Sequence, residues 1–331
     1  MRRNKTIKIF GNYFLGPLLF LWLLYVIYAQ IRQQPHLHQT WEAIKTSITS
    51  RKIVLLISAV LLMLANWAIE TLKWKISVAI IHPITFRKAF RAVLSGVSFS
   101  VSMPNRIGEY AGRALYLPEG NRLKSVPISL IGGISQLIIT LLFGIVGLAI
   151  LKKFLVVHDL LTDSWYGFII FGTALVTVAL TVFYFTIHSW APLLKRWFHQ
   201  SRHLFIFQSL PWFDASLLLR LLSLSFIRYI IFTGQYVLLF SFFQVHVPLY
   251  LVWSATAVLF LAMAVIPTIA LAELGLRGQV SLQLMGLFTT NSLGVVLTSV
   301  TVWIINLMLP ALAGSILILT LKVFKRTHEL V

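Results

Sequence analysis

An all-α polytopic membrane protein is the fold class this sequence predicts, and three observations predict it. Of 331 residues, 58% are hydrophobic, and the mean hydropathy is +0.87. Only 11% are charged, against roughly 25% in soluble domains. Apolar runs of about 20 residues, long enough to cross a bilayer, recur from one end to the other. A soluble globular domain is excluded. The expectation is a single integral membrane domain over residues 1–331 with about six to eight transmembrane helices. Two Pro/Gly-interrupted segments, re-entrant or broken, fall in matching positions of its two halves.

The charge balance narrows the partners. Lys and Arg number 28 against 9 Asp and Glu, a formal charge of +19. In a soluble chain that would suggest nucleic acid, but the loops here are short and carry no nucleic-acid-binding motif. The basic residues instead set topology and meet anionic headgroups. With no cysteine, disulfides, thiol catalysis and thiolate metal sites are excluded. No cofactor motif and no metal-ligand cluster stands out.

Four basic residues in Met1–Lys8 precede an apolar run, Ile9–Ala29. That run is too long for a signal peptide and lacks a small-residue cleavage site, so it reads as a first span with a cytoplasmic N-terminus. A polar connection, Gln30–Lys52, leads to a second span over Ile53–Leu72. Asn66 and Glu70 share a face near its end. Glu70 is either an interfacial partner of Lys73 at i+3 or a cavity residue. Lys73, Lys75, Arg87, Lys88 and Arg91 mark the next loop as cytoplasmic.

Ala89–Met103 is apolar but too short for a comfortable crossing, so a re-entrant or broken helix fits it better. Val126–Leu151 is a clear span. Its stripe of Ser129, Gly133, Gln136, Thr140, Gly144 and Gly147 suits close helix packing, with Gln136 bonding a neighbouring helix or facing substrate. Lys152–Ser164 is an outside loop, and Trp165–Ile187 returns to the cytoplasm. His188–Asp214 mixes basic and aromatic residues as a headgroup-level helix or loop does. His199 and His203 are spaced like metal ligands but lack a third, so they face headgroups.

Ser216–Phe243 spans again. Arg220 can snorkel, whereas Arg228 lies too deep and needs a carboxylate, carbonyls or a bound anion. Gln235 shares its face. Leu249–Ala272 is interrupted by Pro267, and a last span over Leu293–Leu321 leads to Lys322, Lys325 and Arg326, which place the C-terminus in the cytoplasm.

The two interruptions are alike. Each has an apolar run, a proline (Pro104, Pro267), then glutamate and arginine four apart (Glu109 and Arg113; Glu273 and Arg277). Gly108 and Gly112 attend the first and Gly275 the second. Paired breaks in two halves of a transporter point to a binding site at the bilayer midplane. An ionisable group at membrane depth is a functional candidate by default.

Pro104-Asn105-Arg106-Ile107-Gly108-Glu109, followed by Arg113, resembles the Pro-Gly-Arg-x-Gly-Glu signature of the lysylphosphatidylglycerol synthase transmembrane region family. The resemblance extends over nearly the whole chain. Its second break usually reads Gly-Gly-Leu-Gly-x-Arg-Glu. Here Ala272-Glu273-Leu274-Gly275-Leu276-Arg277-Gly278 keeps the arginine and moves the carboxylate to four residues before it. Asn105 likewise replaces a glycine. The resemblance implies a flippase-like protein of a bacterial plasma (inner) membrane. Bifunctional members join this region to a soluble aminoacyl-transferase domain, which is expected to be absent here, so the chain is expected not to be an enzyme.

Three functions compete. The first is translocation or binding of membrane lipid, either an anionic phospholipid or a polyprenyl-phosphate-linked substrate. Arg113, Arg277, Arg228 and Arg106 would contact phosphate, aided by the helix N-termini at the breaks. Glu109 and Glu273 would orient those arginines or bind a cationic headgroup or proton. The second is a membrane-embedded enzyme acting on lipid headgroups or lipid-linked sugars, with Glu109 as general base. The third is an accessory subunit for a partner transferase. Under the first reading the two breaks meet in space, and Arg228 lies near Glu109 or Glu273 or at the edge of a polar cavity. The plainer alternative makes each Glu–Arg pair a local bridge at the cytoplasmic surface.

Overall fold

In a bilayer the backbone finds no water to bond, so each apolar run closes its hydrogen bonds internally as a helix. The computed structural model describes residues 52–101, 107–190, 210, 212–266 and 270–319, with Tyr25 and Glu42 besides. The first expected span, Pro104, Asn105, Arg106, His199, His203, Pro267 and the basic C-terminal residues lie outside the described residues. Among the described residues the regular elements are all helical. They are α1 (Ile53–Val78), α2 (Phe86–Val101), α3 (Gly108–Ala114), α4 (Glu119–Arg122), α5 (Ser125–Val157) and α6 (Asp163–Phe185). Then come α7 (Ala215–Phe242), α8 (Leu249–Val265), α9 (Ala270–Met285), α10 (Ser292–Trp303), a π-helical stretch (Ile304–Met308) and α11 (Leu309–Leu319).

Among the described residues five stretches are long and apolar enough to cross a membrane: α1, α4 continuing into α5, α6, α7, and α10 continuing towards the end of α11. They match the five crossings expected there. Local chemistry sets their ends. Pro83 follows the end of α1, Thr162 caps α6 through the Trp165 amide, and Asp214 caps α7 through the Leu217 amide at 2.9 Å. In the last span, Pro310 has no amide hydrogen for the carbonyl of Asn306, which would break an α-helix. The π turn just before it absorbs the defect, and the Leu309 amide bonds Ile304, five residues back.

Helices α2 and α3 form a hairpin. A Cβ added at Gly96 would meet the Glu109 carbonyl at 2.8 Å, and one at Gly112 would meet the Gly96 amide nitrogen at 2.7 Å. Farther along, Gly108 lies against the Phe99 carbonyl. As one helix advances the other retreats, so the two run antiparallel with their backbones nearly touching. Gly112 is thus a packing residue inside the hairpin, while Gly108 packs there too and begins α3. The Asn121 amide reaches the Ile81 carbonyl at 3.5 Å, so the chain leaves the hairpin on the side where it entered. The hairpin is re-entrant.

Helices α8 and α9 form the second hairpin, and it enters from the other side. Tyr166 Oη donates to the Leu148 carbonyl at 3.3 Å, placing the start of α6 beside the far part of α5. Tyr184 Oη donates to the Leu218 carbonyl at 2.9 Å, so α7 starts on the side where α6 ends. Helix α7 then crosses, and α8 turns back. Asn291, which caps α10, donates to the carbonyls of Phe243 and Gln244 at 3.0 and 3.2 Å. The exit of this hairpin therefore lies beside its entry, opposite to the first. Gly275 shows no break: it lies inside α9 with open space where a side chain would go.

The result is one pattern used twice in opposite orientation: span, hairpin, span. Helices α1, α2–α3 and α5 make one half, and α7, α8–α9 and α10–α11 the other. Each hairpin leans on the last span of the opposite half. Gly144 and Gly147 of α5 receive Leu261 and Ala257 of α8, while Gly314 of α11 lies against the Leu94 carbonyl of α2. The Ser98 hydroxyl also donates to the Ala311 carbonyl. Helix α6 stands outside this pattern, with Phe168 and Phe171 each 70% exposed, as suits a lipid-facing helix.

The cysteine-free sequence makes this topology directly testable. Gly120→Cys is expected to be labelled by an impermeant maleimide from one side of the membrane, and His158→Cys and Thr290→Cys from the other. Labelling of Thr290→Cys together with Gly120→Cys would refute opposed hairpins.

Candidate functional site

Helices α1 and α7 run antiparallel through the middle of the protein, and polar residues meet along their seam. Gln235 donates to the Ala59 carbonyl at 2.9 Å. Arg228 lies about 20 Å along α7 from its start, at 1.5 Å per residue, beyond the reach of either surface. Its Nε donates to Asn66 Oδ1 at 2.8 Å, and its Nη1 pairs with the Glu70 carboxylate. The same nitrogen is 3.5 Å from Gln136 Oε1 on α5. The rings of Trp67 and Phe232 flank its guanidinium at 6.0 and 5.8 Å. The sequence suggested Glu109, Glu273 or the edge of a polar cavity for it; the structure supplies Glu70 and also sets Arg228 in the wall of a polar cavity that Glu273 lines. The i+4 step from Asn66 to Glu70 puts both on the face of α1 that meets α7.

Glu70 serves more than one cation. Its Oε1 lies 2.8 Å from Arg113 Nη2, which is also 2.9 Å from Glu109 Oε2. Lys73 Nζ approaches Glu70 Oε2 at 3.8 Å and donates to Ser225 Oγ at 2.8 Å. The Ser225 hydroxyl in turn is 2.8 Å from that of Ser135. Lys73 is 2% exposed and Arg113 4%. Lys73 is therefore no loop residue, as its place in a basic run suggested. Helix α1 continues to Val78 and carries it inside the protein. The i+3 pair of Glu70 with Lys73 does exist, but at longer range than the two arginine contacts.

The second hairpin brings its own pair. Arg277 Nη2 is 2.6 Å from Glu273 Oε1, and its Nη1 donates to Tyr236 Oη on α7 at 3.1 Å. Asn306, in the π stretch, donates to Gln235 Oε1 at 2.9 Å. Arg228, Glu273, Arg277, Gln136, Thr140 and Asn306 all line one cavity of about 410 Å³. Phe232, Phe260, Met263, Val265 and Leu307 complete its wall, with Val265 at the open end of α8 67% exposed. The two Glu–Arg pairs are joined by way of Arg228: Glu70 ties it to Arg113, and the cavity ties it to Arg277.

Both local i,i+4 pairs exist, but Arg113 is buried and the Arg277 side chain is only 11% exposed, so neither is a surface bridge. Arg113 bridges Glu109 of its own helix to Glu70, and neither Glu109 nor Arg113 lines the cavity. Arg106 lies outside the described residues. Ser225, Tyr236 and Asn306 belong to this polar system and were not singled out in the sequence, where Lys73 was named only as an interfacial partner of Glu70 and a flanking basic residue. For Asn306 the available signal was the proline four residues after it. Among the described residues no three His, Asp or Glu side chains gather as metal ligands would.

The model of one family, the lysylphosphatidylglycerol synthase TM region, matches residues 13–322. No curated protein and no solved structure matches the chain.

Proposed function

Given that the chain belongs to the lysylphosphatidylglycerol synthase TM region family, whose proteins are tied to lipid modification or handling, we propose that it binds an anionic lipid headgroup and carries it between leaflets. The observation behind this reading is that Arg228 of α7 and Arg277 of the second hairpin line one cavity, with Trp67, Gln136 and Thr140 of the other half in its wall. Guanidinium groups bind phosphate strongly, and do so most where little water competes. Tyr236, Gln136 and Asn306 add neutral hydrogen-bonding groups. The apolar end of the cavity, with Met263, Val265 and Ile266, suits the start of acyl chains. Opposed hairpins around a central site are the arrangement in which small rigid-body movements expose that site to alternate faces. The Lys/Arg excess near the first hairpin (Lys75, Arg87, Lys88, Arg91, Arg122, Lys124) supports a cytoplasmic position for that face. Glu109, the base that a lipid-modifying enzyme would need, is held by Arg113 at 2.9 Å.

The test is lipid movement in proteoliposomes containing fluorescent phosphatidylglycerol or a fluorescent polyprenyl phosphate, read by dithionite quenching. The Glu273→Gln, Arg277→Gln double variant removes a charge pair without leaving one charge alone. It is expected to elute as the wild type does and to move lipid at least about tenfold more slowly, the loss of one charge-assisted contact. Arg277→Lys should restore little, because an ammonium lacks the planar fork. Wild-type rates in the double variant would sink this reading.

A further inference from the structure

Three cations, Lys73, Arg113 and Arg228, crowd the one carboxylate of Glu70, and Lys73 is the most distant of them at 3.8 Å. Cations crowded in a low-dielectric interior repel one another, and two events relieve that: an anion settling beside Arg228 in the cavity, or a cation giving up its proton. Arginine does not deprotonate in proteins, whereas a buried lysine can. Lys73 is therefore the one cation of the three whose charge is removable.

Its surroundings accept either state. As an ammonium, Lys73 donates to Ser225 Oγ at 2.8 Å. The Ser225 hydroxyl donates onward to the Leu221 carbonyl at 2.9 Å, and Ser135 donates to the Gly132 carbonyl at 2.8 Å. If Lys73 becomes an amine, a serine hydroxyl can rotate and donate to its lone pair, so no group is left unsatisfied. The charged groups that act on Lys73 are Glu70 on its own helix, Glu109 and Arg113 from α3, and Arg228 from α7. Helix α5 presents Gly132, where a Cβ would stand 3.5 Å from Lys73 Cε, and the Ser135 hydroxyl. The charged residues of α2, Arg87, Lys88 and Arg91, are exposed, and the π stretch carries no charge.

We propose that Lys73 is a proton-binding site coupled to the cavity, so that each monoanionic phosphodiester lipid enters with one proton and leaves with it. With the cavity empty, Lys73 gives its proton to water, which relieves the crowding of three cations on one carboxylate. With a phosphodiester beside Arg228, the added negative charge draws a proton from water back onto Lys73. This rests on the anionic-lipid reading above. It adds a driving force, since a proton gradient then drives lipid movement. Because protonation and anion binding favour one another, affinity is lost as pH rises.

The test needs no variant at its core. Dihexanoylphosphatidylglycerol is titrated calorimetrically into the purified protein at pH 8, in two buffers with different heats of ionisation. The difference gives the protons taken up, expected between about half and one per lipid. The dissociation constant should rise by up to about tenfold per pH unit above the titration of Lys73. Lys73→Arg, permanently charged, should bind the lipid with a flat pH profile and take up no proton. Lipid binding without proton uptake by the wild type overturns the proposal and leaves the lipid site standing, as does undiminished uptake by Lys73→Arg. A wild type that binds no anionic lipid overturns both.

Discussion

Glu70→Ala is expected to remove most of the protein from the membrane fraction. Taking one partner from a buried ion pair costs about 3–5 kcal/mol, and Glu70 is the shared partner of Arg113, Arg228 and Lys73. An effect at the upper end of that range rivals the whole stability of many domains, roughly 5–15 kcal/mol. Fluorescence-detected size exclusion of solubilised membranes would show the main peak collapsing. Glu70→Gln keeps the shape and some hydrogen bonds, and should fall between wild type and alanine. Adding Arg228→Ala to Glu70→Ala removes one stranded cation and should recover part of the yield. Normal accumulation of Glu70→Ala would mean that the three cations do not depend on this carboxylate.

Gly112→Val is expected to spring the first hairpin apart. A Cβ there would land 2.5 Å from Gly96 Cα and 2.8 Å from the Ser95 carbonyl, both backbone, so no side chain can move aside to make room. Overpacking costs about 1–3 kcal/mol where side chains can adjust, and more is expected between two helix backbones. The unfolding midpoint in detergent should drop by several degrees, with any transport lost. Gly275→Ala is the contrast. Nothing lies within 4 Å of its Cβ. Replacing a mid-helix glycine by alanine there should be neutral or stabilise by up to about 1 kcal/mol. Equal effects at the two glycines would refute the close approach of α2 and α3.

The spans were legible because hydrocarbon leaves the chain so few options. Apolar length marks a crossing, and the shortness of Ala89–Met103 marked the hairpin. What could not be read was which polar residues face one another across helices. Glu109 and Arg113 stood out because they are four apart. The partners that bury Arg113 and Arg228 come from Glu70, 43 and 158 residues away in the chain. Lys73 misled for a related reason: its basic neighbours suggested a headgroup flank, and only packing of α5 and α7 against α1 shows it enclosed. The opposed orientation of the hairpins was also hidden, since a proline break looks the same whichever side it is entered from. Gly275, beside the second interruption in the sequence, lies within α9, which runs on through it.

The exchange of hairpins between halves has a consequence for biosynthesis. The Ser98 hydroxyl finds its carbonyl at Ala311, 213 residues later in the chain. At about 5–20 residues per second, the first hairpin waits roughly 10–40 s after its own synthesis before α11 can cover it. The second hairpin waits for nothing, because its support, α5, is made first. The two halves repeat one pattern in space but not in time. Through that interval α2 must be shielded by lipid or by the insertion machinery, and the arrival of α11 has to displace whatever covers it.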